Sequence, residues 1–427
     1  MAVPCAGSGR EVLGVTDRLP WHDRGIWLRG DTHTHHLLRR DPGRQMIEAA
    51  VSSGIDFVAT TEHAQEAFRN RPRATLDALR EEHPDLLIIA GIEWNIPAGD
   101  HATVLVEQRP DEWKILKRFA RRFDREVNAR LERESEEIED DGSNHSWGKL
   151  DDAACGLTWL RELREREGVR SVVYLNHLSR RALYGQDEIA ALQRAGATGF
   201  EAAAGHQRNL EHEPRLQRYD PAAEVGGLWD RLLVDGLFGI TAGSDFHQEE
   251  TAYLPGAFSR VMVYAPERSV AGVVEGLARG ATVTVLGGVV SSVETRTATP
   301  GCDDTAFGGE TLVVAPGADV AYRLEIEVPG HDLQGLANRI DRVEVISNAG
   351  GPARVAHTFE NLGSGRVRLE WQLPPEATRE AGGFFIRARG CRFVGGEGED
   401  AENADLCFYT AATRVEAVAA RSSGCHR

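Results

Sequence analysis

The chain has 427 residues, 41% of them hydrophobic, and a formal net charge of −17. That is enough apolar material for roughly two domains at about 100–200 residues each, while the acidic excess argues against nucleic acid as a partner, because phosphate binding needs clustered Lys and Arg. No apolar run approaches the ~18–20 residues of a membrane span, and the opening MAVPCAGSGREVLG lacks the basic start and apolar stretch of a secretory signal.

The expectation is therefore a cytoplasmic protein acting on a small-molecule substrate, with an oligomeric state the sequence leaves open. Global acidity does not exclude an anionic substrate, since local cations or metals override it. Six cysteines (Cys5, Cys155, Cys302, Cys391, Cys407 and Cys425) form no CxxC pair and are expected as scattered free thiols.

In chain order, 1–27 is an N-terminal segment without clear period. From 28 to 295, apolar runs at 55–60, 86–92, 102–106, 171–175 and 238–241 alternate with helix-like stretches at 42–53, 73–82, 157–167 and 269–279. Strand–helix alternation predicts a parallel α/β architecture. A barrel is preferred to an open sheet, because reactive residues follow several different strands. The charged stretch 111–152, from KRFARRFDRE to ERESEEIEDDG, reads as a surface helix and an acidic turn. It is either a solvated insertion or a lid that brings His145 and Trp147 to substrate. From 300 to 427 the texture changes to alternating segments at 322–328, 343–346, 367–371 and 384–389, separated by Gly, Pro and Asn turns. This predicts an all-β, sandwich-like C-terminal domain.

Chemistry concentrates in the α/β region. Gly30-Asp31-Thr32-His33-Thr34-His35-His36 carries an HxH pair, and an i, i+2 spacing puts both imidazoles on one side of an extended chain. GIDFVATT runs into Glu62-His63, LLIIAGI into Glu93, and Gly99-Asp100-His101 follows. SVVYLN ends at His177, and LFGITAGS at Asp245-Phe246-His247. A polar strand end is often only a turn former, but six such segments in one region are not explained that way. Imidazoles and carboxylates without thiolates suit Zn, Mn or Fe rather than a structural zinc. Several carboxylates allow two or three ions, which can clamp attacking and leaving oxygens together.

These segments together resemble the PHP (polymerase and histidinol phosphatase) superfamily of metal-dependent hydrolases. The matching motifs are DTHTH, TEH, the glutamate of AGIEW, the histidine of GDH, the histidine of NHLSR, and GSDFH, all in family order. WLRGDTHTHH, the short gap from Glu93 to His101, Trp229 ahead of LLVDGLFGITAGSDFH, RVMVYAP and RGATVTVLGG are similar to the carbaryl-hydrolase-like (CehA/McbA-type) branch.

The resemblance implies a distorted TIM-like (β/α)7 barrel. It implies one metal held by His33, His35, Glu93 and Asp245, and a second by Asp41, His63 and His247. His101 and His177 would hold a third, with Glu93 bridging. Here HxH runs into HLLRRDPG instead of the family's Ser-Asp-Gly, so His36 is the alternative to Asp41. The implied activity is phosphoester hydrolysis by a metal-activated hydroxide, with Asp245 or His247 moving the proton. Arg180, Arg208 and Arg260 are candidate phosphate donors and His206 a candidate substrate contact. The alternatives are a carbamate, carboxylic ester or amide hydrolase on the same site, with Trp94, Tyr253 and Phe258 as pocket walls, and a non-catalytic metal-binding module. A serine triad is disfavoured because Gly243-Ser244-Asp245 is no GxSxG, and no phosphate loop of the GxxxxGK[ST] type is present.

Overall fold

The structure, a computed structural model, describes residues 12–16, 18–35, 40–67, 72–97, 99, 101–127, 150–176, 178, 185–204, 222–247, 254–300, 305–379, 382–393 and 404–418. The first part forms β1 (Val12–Thr16), β2 (Ile26–Asp31), α1 (Arg40–Ser52), β3 (Phe57–Thr60), α2 (Ala64–Ala67), α3 (Pro72–Glu82), β4 (Leu87–Asn95), β5 (His101–Val106) and α4 (Glu112–Phe123). It continues with α5 (Leu150–Glu167), β6 (Ser171–Asn176), α6 (Gln186–Ala195), β7 (Gly199–Ala204), α7 (Leu228–Asp235), β8 (Gly239–Gly243), β9 (Ser259–Ala265), α8 (Val270–Ala278) and β10 (Thr282–Leu286). The tail holds β11 (Ser292–Ala298), β12 (Thr305–Ala306), β13 (Thr311–Val314), β14 (Ala321–Val328), β15 (Ile340–Ser347), β16 (Arg354–Gly363), β17 (Gly365–Gln372), β18 (Gly382–Phe393), β19 (Ala404–Thr410) and β20 (Thr413–Ala417).

Strands β2 to β8 lie side by side in sequence order. Their directions are mixed, which corrects the purely parallel expectation. β2–β3–β4 and β6–β7–β8 are parallel, while β5 is antiparallel to both its neighbours. The reason is the link 96–100 between β4 and β5. It is hairpin-sized, and a parallel crossover needs a dozen residues or more. Beyond the strands the run turns back on itself: Asp245 N–H donates to His33 O at 2.8 Å and His35 N–H to Phe246 O at 3.0 Å. The carboxyl ends of β2 and β8 are thereby neighbours.

Alternate residues of these strands go to opposite sides, as the pleat requires. Phe57, Ala59, Ile89, Leu105, Val172 and Tyr174 pack in one cluster with α8 residues Val270, Val273, Val274 and Leu277. Val58, Ile88, Ala90, Val104, Val106, Val173 and Leu175 join the larger cluster under the outer helices. Both faces are buried, so these strands read as continuous apolar runs rather than alternating ones.

The tail is all β as expected, in two sheets. One is β12–β11–β14–β17. The other continues the main sheet, because β10 pairs with β19 and β1 pairs with β13. The segment 1–27 therefore contributes a strand to the tail's sheet, and backbone ladders cross the expected boundary near 300.

Two further expectations are corrected. Cys391 and Cys407 form a disulfide, since the β18–β19 register sets them directly opposite each other. Cys155 is free and exposed. The first part of the 111–152 stretch is not a fully solvated surface helix: α4 buries Trp113, Ile115, Leu116, Phe119, Ala120 and Phe123. Lys114, Lys117 and Arg118 form its exposed outer face, and the apolar i, i+3, i+4 set faces the core. His145 and Trp147 lie outside the described residues, and no described helix is long and apolar enough to cross a membrane.

Candidate metal centre

The expected ligands arrive from five strands. His33 and His35 extend β2, His63 follows β3, Glu93 lies within β4, His101 opens β5, and Asp245 and His247 follow β8. Because β5 is antiparallel, its amino end lies beside the carboxyl ends of β4 and β6: His101 pairs with Asn95 on one side and Asn176 on the other. The hairpin that breaks the parallel pattern thus delivers a histidine to the same rim. All seven expected ligands with described side chains meet there, in three overlapping groups: His33–His35–Asp245, His63–Glu93–His101 and His35–His63–His247. Asp41 lies in the first turn of α1, with its side chain outside the described residues, as are His177 and His36 altogether.

Glu93 is the hub. Its Oε1 is 3.3 Å from His33 Nε2 and 3.0 Å from His101 Nδ1. Its Oε2 is 3.3 Å from His35 Nε2 and 2.9 Å from His63 Nδ1. Asn176 Nδ2 donates to Oε1 at 3.2 Å and to Thr103 Oγ1 at 3.1 Å, which fixes the carboxylate plane. Asp245 Oδ1 lies 3.2 Å from His33 Nε2 and 3.1 Å from His35 Nε2. Asp245 itself sits at φ 50, in the left-handed region that aspartate tolerates better than most residues.

The donor set fits a divalent ion. Tetrahedral ligands at ~2.0–2.1 Å from an ion stand about 3.3 Å from each other. His33 Nε2 and His35 Nε2 are 3.2 Å apart, close to their separations from Asp245. Tautomers agree. His33 Nδ1 faces Glu201 Oε1 at 3.1 Å, and a carboxylate only accepts, so the proton sits on Nδ1 and Nε2 turns its lone pair to the cluster. His247 Nδ1 faces the Asp245 backbone oxygen at 2.9 Å, which leaves Nε2 as its donor atom, and its ring stacks on His35 at 4.0 Å.

Without an ion, the same crowding holds protons. Burial alone would lower the pKa of His33, but Asp245, Glu201 and Glu93 outweigh it and hold the imidazole well above its usual range. For His35 burial is likewise overcome, by hydrogen bonds to Asp245 and Glu93, and the pKa is pushed up to about 9. Asp31 is raised to about 6 by burial, against N–H groups of His33, Ser244 and Gly256 that favour its charge. It ties the two ligand-bearing turns together, with Ser244 N at 3.0 Å and His33 N at 3.0 Å from Oδ1.

Several expectations about substrate do not survive. Arg260 is buried and donates to Gly256 O and Ser53 O, so it braces a turn and offers nothing to a phosphate. Trp94 is fully buried with Nε1 on Phe123 O at 2.8 Å, and Phe258 is core. Neither forms a pocket wall. Arg180, His206, Arg208 and Tyr253 lie outside the described residues. Sequence reasoning passed over Glu201, Asn176 and Asp31 as functional residues. The signal for Glu201 was an acid inside the apolar run GFEAA.

No described protein family matches the sequence, and no curated protein does. Among solved structures, the chain is similar to one from Bacteroides vulgatus, described as a two-domain protein containing a predicted PHP-like metal-dependent phosphoesterase. Identity is 14%, TM-score 0.43, covering 95% of this chain and 98% of that one. A second, a candidate metal-dependent phosphoesterase from Bifidobacterium adolescentis, shares 18% identity at TM-score 0.30, over 52% of this chain and 90% of that one. Likeness at this level carries no functional weight, and the rim geometry has to speak for itself.

Proposed function

We propose that this chain is a metal-dependent hydrolase of the PHP type, acting first on phosphoesters, with two or three ions (Zn, Mn or Fe) at the rim. One observation carries the reading. A buried carboxylate, Glu93, stands within 3.3 Å of four imidazoles, and its two oxygens divide them into two pairs. A carboxylate bridging two ions would need such a division, and a lone structural zinc would not. We read the seven-strand run, which turns back on itself, as a distorted barrel. We read 28–295 as the metal-bearing unit and 300–427 as a β-rich unit that supports it.

His33, His35, Glu93 and Asp245 would hold one ion; His63, His101 and His247 would hold others, with Asp41 and His177 as further ligands. Held there, ions would supply Lewis acidity to a phosphoryl or carbonyl oxygen and would make water a better nucleophile. The chain's own part is placement and proton handling. Glu201 and Asn176 orient His33 and Glu93. His247 is the most exposed of the group, with a side chain 40% accessible; its Nε2 would either hold an ion or, where no ion takes it, take or give a proton at the mouth. Asp245 Oδ1 sits between two imidazoles and stays committed to them.

The test has two stages. Elemental mass spectrometry of reconstituted protein is expected to find two or three ions per chain, and Asp245→Ala to lose at least one of them. Phosphomono- and diesters are then assayed against carbamates, carboxylic esters and amides. Turnover of phosphoesters alone, abolished in Asp245→Ala, supports the leading reading. Preference for carbamates or esters moves the assignment to that alternative. Bound ions without turnover of any of these would leave a metal-binding accessory module.

A further inference from the structure

The candidate donors of the rim are not equally buried. His33, His35 and Asp245 have side chains only 1%, 3% and 1% accessible. His63, His101 and His247 are 24%, 20% and 40% accessible. One donor group is therefore sealed and the other faces the mouth. A sealed group binds tightly only if its ligands are already aimed, because a misdirected buried imidazole has no water to turn to.

Glu201 does that aiming. It lies on β7, across the run from His33, and its own side chain is 1% accessible. Its Oε1 meets His33 Nδ1 at 3.1 Å. The β7–β8 register shifts between Glu201 and Ala203. A bulge of this kind bends a strand and re-aims the side chain beside it. His33 is thus gripped from behind by an anion that accepts its only spare proton. Its Nε2 has one orientation and one tautomer, and the carboxylate makes that nitrogen a stronger donor.

We propose that Glu201 is a positioning residue that fixes His33 as a ligand and so makes the buried His33–His35–Asp245 group the tightly held, slowly exchanging ion. The donors nearer the mouth, in the His63–Glu93–His101 and His35–His63–His247 groups, hold the exchangeable ions. This rests on the metal-centre reading above.

Cobalt(II) or zinc titration of the full chain against a chromophoric chelator separates the two. Wild type is expected to keep one ion through chelation that strips the rest. Glu201→Gln, the same size without the charge, is expected to weaken that tight step about 10- to 100-fold. The looser step should stay unchanged, and the cobalt absorption of the tight step should shift. An unaltered tight step in Glu201→Gln and Glu201→Ala overturns the proposal. Equal weakening of every step also overturns it, since it would show a general structural role. If the variants do not fold, imidazole nitrogen shifts of zinc-loaded wild type read the tautomer directly: a proton on His33 Nδ1 supports the proposal, and one on Nε2 overturns it. A wild type that binds no ion at all removes the metal-centre reading itself, and this proposal with it.

Discussion

At the scale of single residues, the proposed metal centre would set protons and metal in competition for the same lone pairs. The carboxylates of Asp245 and Glu93 push the pKa of His35 up to about 9, and His33 is raised as well. A histidine raised in the folded state contributes stability that is complete below its unfolded pKa of about 6.5 and fades as pH climbs through the folded value. Metal binding has the opposite sign, because the ion needs the deprotonated ring. Thermal melts between pH 6 and 9.5 are therefore expected to diverge: chelated protein loses Tm as pH rises, while metal-loaded protein gains it relative to that baseline. Parallel curves would show that the imidazoles do not bind the ion.

Gly243 sets a second residue-scale constraint. A Cβ there would stand 2.4 Å from His33 Cβ and 2.8 Å from its backbone nitrogen. Gly243→Ala must push the β8 turn off the HxH arm. The expected cost is about 1–3 kcal/mol, typical of overpacking, with loss of the retained ion. Denaturant titration and metal content measure the two parts; full retention of metal would mean that the two arms move independently.

At the scale of elements, β18 ties the tail to α7 and the segment before it. Arg387 is fully buried, with Nε on Asp230 Oδ1 at 2.6 Å, Nη1 on Ala222 O at 3.0 Å, and its guanidinium 4.7 Å from the Trp229 ring centre. Removing one partner strands the other charge in the core, so Arg387→Ala is expected to cost about 3–5 kcal/mol. The Arg387→Met/Asp230→Leu pair should cost clearly less than the two single changes summed. Additive losses in urea unfolding would show that the pair is not coupled. The period of the sequence had located these elements well: the run at 322–328 lies in β14, and 384–389 in β18. It misjudged α4, where abundant arginines masked an apolar stripe that reaches the core.

At the scale of the whole molecule, the expected boundary near 300 is crossed by β1–β13 and β10–β19, and one hydrophobic cluster runs from Met46 to Ala417. Cutting the chain at residue 300 would expose the edge of β10 and remove the partner of β1. Such an edge is a template for aggregation. The full chain is expected to unfold in one calorimetric transition, and the 1–300 fragment to be aggregation-prone and without a sharp transition. Two separate melts, or a well-folded fragment, would restore the picture of independent domains.

The sequence by itself determined which candidate ligands the strand ends carry and most of the elements. Strand ends that carry His, Glu or Asp in GDTHTHH, TEH, GIEW and GSDFH are local signals, because side-chain type and strand period are both local properties. Seven of the predicted ligands consequently meet where expected. Only the tertiary structure decided which partner each one has. Glu201 reaches His33 across 168 positions, Asn176 reaches Glu93 across 83, and Arg387 reaches Asp230 across 157. The direction of β5, the Cys391–Cys407 register and the burial of Arg260 belong to the same class. Each depends on which strands lie side by side, and that follows from how the chain closes its core, which no window of sequence contains.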